Sequence, residues 1–393
     1  MSPADVVILS AARTPIGRYG GALRDVHPAE LGAVAARAAI ARAGLQPADV
    51  DEVWIGHGRQ AGSGPNPARQ VGHRAGVPHA APAQTINKAC ASGLQAIVSG
   101  AQSILLGDAR VVLAGGIESM SRMPYLIDAV DARWGHRMGN FTLVDAMYRD
   151  GFQCPLCDTV MGETAETLAR QYGITREESD CFALESQRKA KAAIDGGYFA
   201  REIAPVADLA RDEHPRPDTT IDTLKRLPPV FGSGIITAGS SSGITDGGAA
   251  VVLASAEHAR AKGLIPRARV LGWASAGVDP SVMGIGPVPA IRKLEARTGL
   301  RVDDFDLIEL NEAFAPQVLA VLREIPMSAD RLNVNGGAIA LGHPIGCTGT
   351  RILVTLLHEL ERRNAARGLA TLCVSGGMGM AVAVETLPQS ISR

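Results

Sequence analysis

Along the chain, short apolar runs of strand length alternate with longer stretches in which apolar residues recur at helical spacing. Val6-Val7-Ile8-Leu9 reads as a first strand. Pro47-Ala-Asp-Val-Asp-Glu-Val-Trp-Ile55 combines an acidic lead-in with an apolar strand, and Val302-Asp-Asp-Phe-Asp-Leu-Ile-Glu-Leu310 repeats that arrangement. The likeness continues downstream. In the first copy a small-residue turn at Cys90 leads into a helical stretch, Gly93 to Leu106, and then into the strand Ala109 to Ala114, closed by Gly115-Gly116. In the second, a turn around His343 leads into the helical stretch Thr350 to Arg362 and the strand Leu369 to Val374, closed by Gly376-Gly377. Ile55 to Cys90 and Ile308 to His343 are both 35 residues. Two copies of one βα-rich unit account for this, and they predict an α/β fold whose sheets are covered by helices.

A different region, from about Ser119 to Thr245, separates the copies and reads as an insertion. Within it a helix is expected from Glu163 to Tyr172. A second starts at the capping box Thr175-Arg-Glu-Glu178, runs through Phe182, Leu184 and Ala190, and stops at Gly196-Gly197. Asp208 to Pro229 is rich in proline and is expected to be a loop covering a functional site.

Composition narrows the function. The 393 residues hold 39 Lys+Arg against 40 Asp+Glu, so no global positive field exists to hold nucleic acid or an anionic membrane. With 46% hydrophobic and 20% charged residues, the chain has the means to bury a large core. No uninterrupted apolar stretch reaches the eighteen or so residues of a membrane span, and Met1 to Ser10 carries no secretory pattern, so a cytoplasmic protein is expected. Cys90, Cys154, Cys157, Cys181, Cys347 and Cys373 are too scattered for a disulfide scaffold and read as thiols. Gly outnumbers every expectation at 44 residues, which suggests backbone approaching backbone or ligand.

Four positions could carry chemistry. Cys90, in Asn87-Lys-Ala-Cys-Ala-Ser-Gly93, falls at a helix N-terminus, where free N–H groups would lower its thiol pKa. Cys373 ends a strand before Ser375-Gly-Gly-Met-Gly379, where bare N–H groups can approach a ligand. For both, a packed core thiol is the plainer alternative. His343 is flanked by Gly342 and Pro344 on a turn that lets it reach out, although a satisfied core histidine fits too. Asn311 opens Asn311-Glu-Ala-Phe314 after a strand end, as a ligand-facing residue or as a cap for the next helix. All four fall at loops of the two copies, so a pseudo-twofold arrangement would bring them to one point.

These runs resemble the thiolase family: Cys90-Ala-Ser-Gly-Leu-Gln95, Ala114-Gly-Gly-Ile-Glu-Ser-Met-Ser121, Gly243-Ile-Thr-Asp-Gly247, Asn311-Glu-Ala-Phe314, Asn333-Val-Asn-Gly-Gly-Ala338 with Gly342-His-Pro344, and Leu372-Cys-Val-Ser-Gly-Gly-Met-Gly379. They follow the family's order over nearly the whole chain. The resemblance implies duplicated βαβαβαββ domains in a layered α-β-α-β-α core. The corresponding ranges are 1–118 with 246–265, an inserted loop domain at 119–245, and 266–393. It also implies a homodimer or homotetramer and acyl-coenzyme A substrates, with no permanently bound cofactor and no metal. By the same resemblance Cys90 is acylated, His343 takes its proton, and Cys373 moves the proton at the α-carbon of a second acetyl-CoA. Asn311 holds a water that forms one oxyanion hole with His343. The backbone N–H groups of Cys90 and Ser375 form the other. Ser242, Met161 and Phe314 are expected against coenzyme A, and Lys225 and Arg226 at its phosphates.

Some positions depart from the family. Ser375 stands where many relatives have glycine, so a backbone angle reserved for glycine would be strained there. Ser240-Ser-Ser-Gly243 replaces Asn-Ala-Ser-Gly, keeping Ser242. Val160-Met161-Gly162 replaces His-Met-Gly, which would open the acyl pocket to longer chains, whereas Val278 to Gly284 and Gly139 to Met147 look like the biosynthetic branch. The expected reaction is therefore condensation of two acetyl-CoA to acetoacetyl-CoA, or its reverse. The alternative is a 3-ketoacyl-CoA thiolase of fatty-acid metabolism. A ketoacyl-carrier-protein synthase is disfavoured by the second cysteine at 373, and a non-catalytic acyl-CoA binder by the presence of all four side chains. Cys154-Pro-Leu-Cys157 has no second ligand pair nearby for zinc; a regulatory disulfide is the other reading. Cys347 is expected to be packing.

Overall fold

The computed structural model describes residues 5–232 and 234–388, so the outer ends of the expected domains, residues 1–4 and 389–393, lie outside the described residues. The first copy opens with strand β1 (Val6–Arg13), helix α1 (Pro28–Arg42), β2 (Glu52–His57), α2 (Pro67–Arg74) and β3 (Ala83–Ile86). Helix α3 (Ser92–Leu106) and β4 (Val111–Ser119) follow. The chain then leaves for the insertion, whose long helices are α4 (Met161–Tyr172) and α5 (Arg176–Asp195), and returns as β5 (Thr245–Ser255). The second copy comprises β6 (Ala268–Gly277), α6 (Pro287–Thr298), β7 (Leu307–Leu310), α7 (Ala315–Glu324), α8 (Ile345–Arg363), β8 (Arg367–Val374) and β9 (Met378–Thr386).

The copies share one pairing scheme. In the first, β2 runs parallel to β4, β4 antiparallel to β5, and β5 antiparallel to β1. In the second, β7 runs parallel to β8, β8 antiparallel to β9, and β9 antiparallel to β6. The first copy adds β3 beside β2. The half-sheets join where Val7 and Ile8 pair with Arg269 and Ala268.

Strand alternation builds the layers, because successive side chains face opposite sides of a sheet. Val7, Leu9, Val111 and Leu113 face α1 and α2, packing with Ala36, Ile40 and Val71. Their neighbours Ile8, Val112 and Ala114 face inward, onto Leu94 and Ile97 of α3 and Ile352 and Leu356 of α8. On the far side Ile308, Leu310 and Leu369 pack with Ile291, Val318 and Val321 under α6 and α7. The order is thus α-β-α-β-α, with α3 and α8 sandwiched between the half-sheets. Each such Leu or Ile contributes about 1.5–3 kcal/mol by leaving water. Residues Ala89–Leu106 are long and apolar enough for a membrane span, contrary to the sequence expectation, but they form this central helix, enclosed by both half-sheets.

Two local expectations need correction. Gly115-Gly116 do not close the strand; they lie inside β4. A Cβ at Gly116 would sit 2.2 Å from Gly346 O and 3.0 Å from Gly93 Cα, so the bare position lets α3 and α8 approach the sheet and each other. The proline-rich stretch 208–229 contains a short helix, Ile221–Lys225, started by Thr220, whose Oγ accepts the Thr223 N–H at 3.2 Å. The capping box at Thr175 forms as expected: Thr175 Oγ accepts the Glu178 N–H, and the Glu178 carboxylate accepts the Thr175 N–H at 2.8 Å.

Candidate active site

Cys90 sits on a single 3-10 turn, Ala89–Ala91, that feeds α3. Ala89 adopts a left-handed φ of 44°, which costs an ordinary residue roughly 1–2 kcal/mol. Neighbours compensate: the Asn87 side chain accepts the Ala89 N–H at 3.0 Å, and Ser92 Oγ donates to Ala89 O at 2.6 Å. The backbone N–H groups of Cys90 itself and of Ser375 lie close enough to the sulfur to favour its thiolate. Burial nevertheless outweighs those donors, and the Cys90 pKa lies above the ordinary thiol value rather than below it.

Ser375 follows β8 and begins the turn made by Gly376 and Gly377, whose φ values are 84° and 82°. Ser375 itself is not in the left-handed region, so serine is unstrained and its N–H keeps its aim. Cys373, 1% exposed, packs with Met161, Ala313 and Met283, and Phe314 lies against the same cluster. Burial, then the neighbouring charge of Cys90, pushes the Cys373 pKa well above the thiol range.

His343 lies inside the protein rather than reaching out from its turn. Its N–H donates to Gly243 O at 3.0 Å. Thr348 Oγ spends its single proton on Pro344 O at 3.0 Å, so at 2.6 Å it accepts from His343 Nδ1–H. That bond leaves Nε2 as the basic nitrogen. Burial, helped by the charges of Arg351 and Arg59, lowers the imidazole pKa to about 3. Cys90 and His343 are therefore both neutral at rest.

The crossing of α3 and α8 brings them together. A Cβ on Gly93 would lie 2.8 Å from Gly346 O and 2.6 Å from Thr350 Oγ, so the two helix starts are in backbone contact. Asn311, at the end of β7, donates its N–H to Thr371 O at 3.0 Å. Both polar atoms of its buried side chain are free of protein partners, so it does not cap the next helix and is available to a substrate or water. The Ser242 N–H donates to Ala313 O at 3.0 Å, and Ser241 bridges to Phe314, which places Ser242 next to the Cys373 cluster.

Lys225 and Arg226 do not join this group. Both are exposed at the end of the short helix. The cavity beside them, about 440 Å³, is lined by Gln187, His214, Arg216, Thr223, Leu224 and Gly239, so Arg216 is the cation that faces it. Cys154 and Cys157 are free thiols on a hairpin whose Leu156 covers Gly376, and Cys347 packs in the central core with its pKa pushed up to about 12. Among the described residues, no three His, Cys, Asp or Glu side chains group to hold a metal ion.

Sequence reading missed Thr348 and Glu118. Thr348 lies five residues after His343, on the first turn of α8, where its hydroxyl reaches back to Pro344 O and to the His343 ring. Glu118 is buried and accepts N–H groups from Gly58, Arg59 and Gly346, tying the end of β2 to the start of α8. Its charge inside an apolar strand was the available signal.

Known proteins match this arrangement over the full length. Residues 6–257 match the thiolase N-terminal domain and residues 264–386 the thiolase C-terminal domain. The acetyl-CoA acetyltransferase of Pseudomonas aeruginosa is 52% identical over 388 residues, covering 96% of this chain and 98% of that protein. The crystal structure of the Bacillus anthracis acetyl-CoA acetyltransferase superposes with a TM-score of 0.94 at 46% identity, covering 98% of this chain and 99% of the other. Human mitochondrial 3-ketoacyl-CoA thiolase in complex with CoA superposes at 0.95 with 44% identity, covering 99% and 100%. With both halves matched and relatives this similar along its whole length, the chain belongs to the thiolase family.

Proposed function

We propose that the protein is an acetyl-CoA C-acetyltransferase that condenses two acetyl-CoA into acetoacetyl-CoA and free coenzyme A, reversibly. The observation that carries this reading is the convergence of two backbone N–H groups on the Cys90 sulfur, beside a buried histidine with a free Nε2 and a second buried thiol. The longer-chain alternative is not favoured by the relatives at 50% identity or more over nearly the full length, which are acetyl-CoA acetyltransferases.

The proton bookkeeping closes on these side chains. His343 Nε2 takes the Cys90 proton as sulfur attacks the thioester carbon, whose oxygen lies toward the Cys90 and Ser375 N–H groups. The departing coenzyme A sulfur takes the Cys373 proton, leaving acetyl-Cys90 and a Cys373 thiolate. Burial makes that thiolate strongly basic, and it removes the α-proton of the second acetyl-CoA. The carbanion attacks acetyl-Cys90, with Asn311 and the His343 side supplying donors for an oxygen. Cys90 leaves and regains its proton from His343. Ser242, Met161 and Phe314 would flank the pantetheine, and Arg216 replaces Lys225 and Arg226 as the cation for the phosphates.

Coenzyme A enters and leaves as substrate, without a resident cofactor. A homodimer or homotetramer is part of the proposal, supported by the exposed Val130, Trp134, Met138 and Leu143 on the insertion. A cytoplasmic setting is supported by six free thiols, and the inserted domain by the continuous excursion from Ser119 to Thr245. The test is coenzyme A-dependent cleavage of acetoacetyl-CoA against 3-oxohexanoyl-CoA by the unchanged protein, Cys90→Ala and Cys373→Ala. Cleavage of acetoacetyl-CoA lost in both variants is expected; no cleavage by the unchanged protein rejects the reading.

A further inference from the structure

Arg59 follows β2, is 6% exposed, and its guanidinium takes no part in the steps above. Its main-chain N–H donates to Glu118 at 3.1 Å and its Nη1 to Asp150 O at 2.7 Å. The guanidinium lies against Gly151, where a Cβ would sit 2.8 Å from Nε and 3.0 Å from Cζ. Nε, also buried, donates to no protein group. Glu118 does not absorb it, since that carboxylate already receives the Gly58, Arg59 and Gly346 N–H groups and lies 3.0 Å from His57 Nε2. A buried cation with a spare donor is costly unless an anion forms nearby. Gly58 O, the carbonyl just before Arg59, accepts from Asn87 Nδ2 at 3.0 Å, and Asn87 Oδ1 in turn accepts the Ala89 N–H, so Arg59 follows directly on the segment that braces the Cys90 turn. The influence is mutual: Arg59 favours the Cys90 thiolate, while burial lowers the Arg59 pKa and is opposed first by Glu118, then by the Cys90 thiolate and Asp150.

We propose that Arg59 is a positioning residue for the reaction, a fixed positive charge that steadies the Cys90 sulfur whenever it becomes anionic. This rests on the thiolase reading and deepens it. Arg59 acts through Cys90, without touching substrate. The other groups facing Cys90 do not duplicate it. Glu118 on β4 opposes the thiolate, and Cys373 at the end of β8 becomes harder to ionise beside it. His343 is neutral, and the ammonium of Lys88 is turned to Gln95 and Ser275.

The experiment is the pH dependence of iodoacetamide alkylation at Cys90, followed by peptide mass spectrometry so that the other thiols do not interfere. Arg59→Met should raise the alkylation midpoint by about one pH unit, whereas Arg59→Lys, which keeps the charge, should raise it much less. Gly151→Ala, which displaces the guanidinium without removing it, should give a smaller upward shift and covers the case in which Arg59→Met does not fold. An unmoved midpoint in folded Arg59→Met overturns the proposal, as do equal shifts in Met and Lys or an unmoved midpoint in Gly151→Ala. Because alkylation needs no turnover, failure of the thiolase reading would show separately, as absent acetoacetyl-CoA cleavage by the unchanged protein.

Discussion

The two halves of the molecule share strand order, layer order and a central helix, yet they place different chemistry at the same point. Before α3 the first half presents Cys90 on a bent turn whose N–H groups face the sulfur; before α8 the second presents His343, braced by Thr348. The second half also supplies Cys373 and Asn311 from its strand ends, while the matching strand end of the first carries Glu118, spent on holding backbone N–H groups. On the proposed reading, one scaffold used twice separates the acyl carrier from the proton carriers, with the crossing of the central helices between them.

The strongest way to break this division is to remove its members. Cys90→Ala should lower thiolytic turnover by at least roughly 10⁴-fold, measured as loss of acetoacetyl-CoA absorbance, with the fold retained by circular dichroism. Separating the halves is next. Gly116→Ala would drive a methyl into Gly346 O, and urea unfolding should show about 3 kcal/mol lost. A change under 1 kcal/mol would mean that the crossing tolerates slack.

Finer changes sharpen the roles. Asn311→Ala should cut kcat about 100-fold with little change in binding, since an oxyanion donor acts in the transition state. Thr348→Val frees His343 to take the wrong tautomer, and about a tenfold fall in kcat is expected. The His343 pKa of about 3 makes a further distinction. Its folded value is depressed, so the imidazole is already neutral across pH 5–8 and kcat/KM should show no acid limb near the ordinary histidine value of 6.5. A limb there that disappears in His343→Asn would contradict the buried, neutral base. The same depression means that His343 contributes stability above pH 6.5, lost as pH falls toward 3.

Much of this was legible in the chain because the duplication repeats a spacing: the 35 residues from Ile55 to Cys90 and from Ile308 to His343 mark equivalent turns. Family-like runs then named the side chains. Packing was less legible. Gly115-Gly116 read as a strand end because local sequence cannot show that two helices cross over the strand interior. Lys225 and Arg226 read as phosphate contacts from their place on the insertion; the short helix that leaves both exposed is not legible, because it lies in a proline-rich stretch with weak periodicity. The thiol pKa at Cys90 was misjudged in direction, since helix-end donors are visible in sequence while the surrounding apolar shell is not. Arg59 was missed because its partners, Asp150 and Gly151, lie far along the chain on the insertion.

The division of labour between the halves is tested most directly by the mass of the Cys90 peptide after brief exposure to acetyl-CoA, in the unchanged protein, Cys373→Ala and His343→Ala. Acetyl groups should be found on Cys90 and remain there in Cys373→Ala, where the condensation half-reaction is blocked, and be nearly absent in His343→Ala. Acetyl found on Cys373 with Cys90 unmodified, or full acetylation of Cys90 in His343→Ala at the normal rate, would contradict the assignment of nucleophile to the first half and proton transfer to the second.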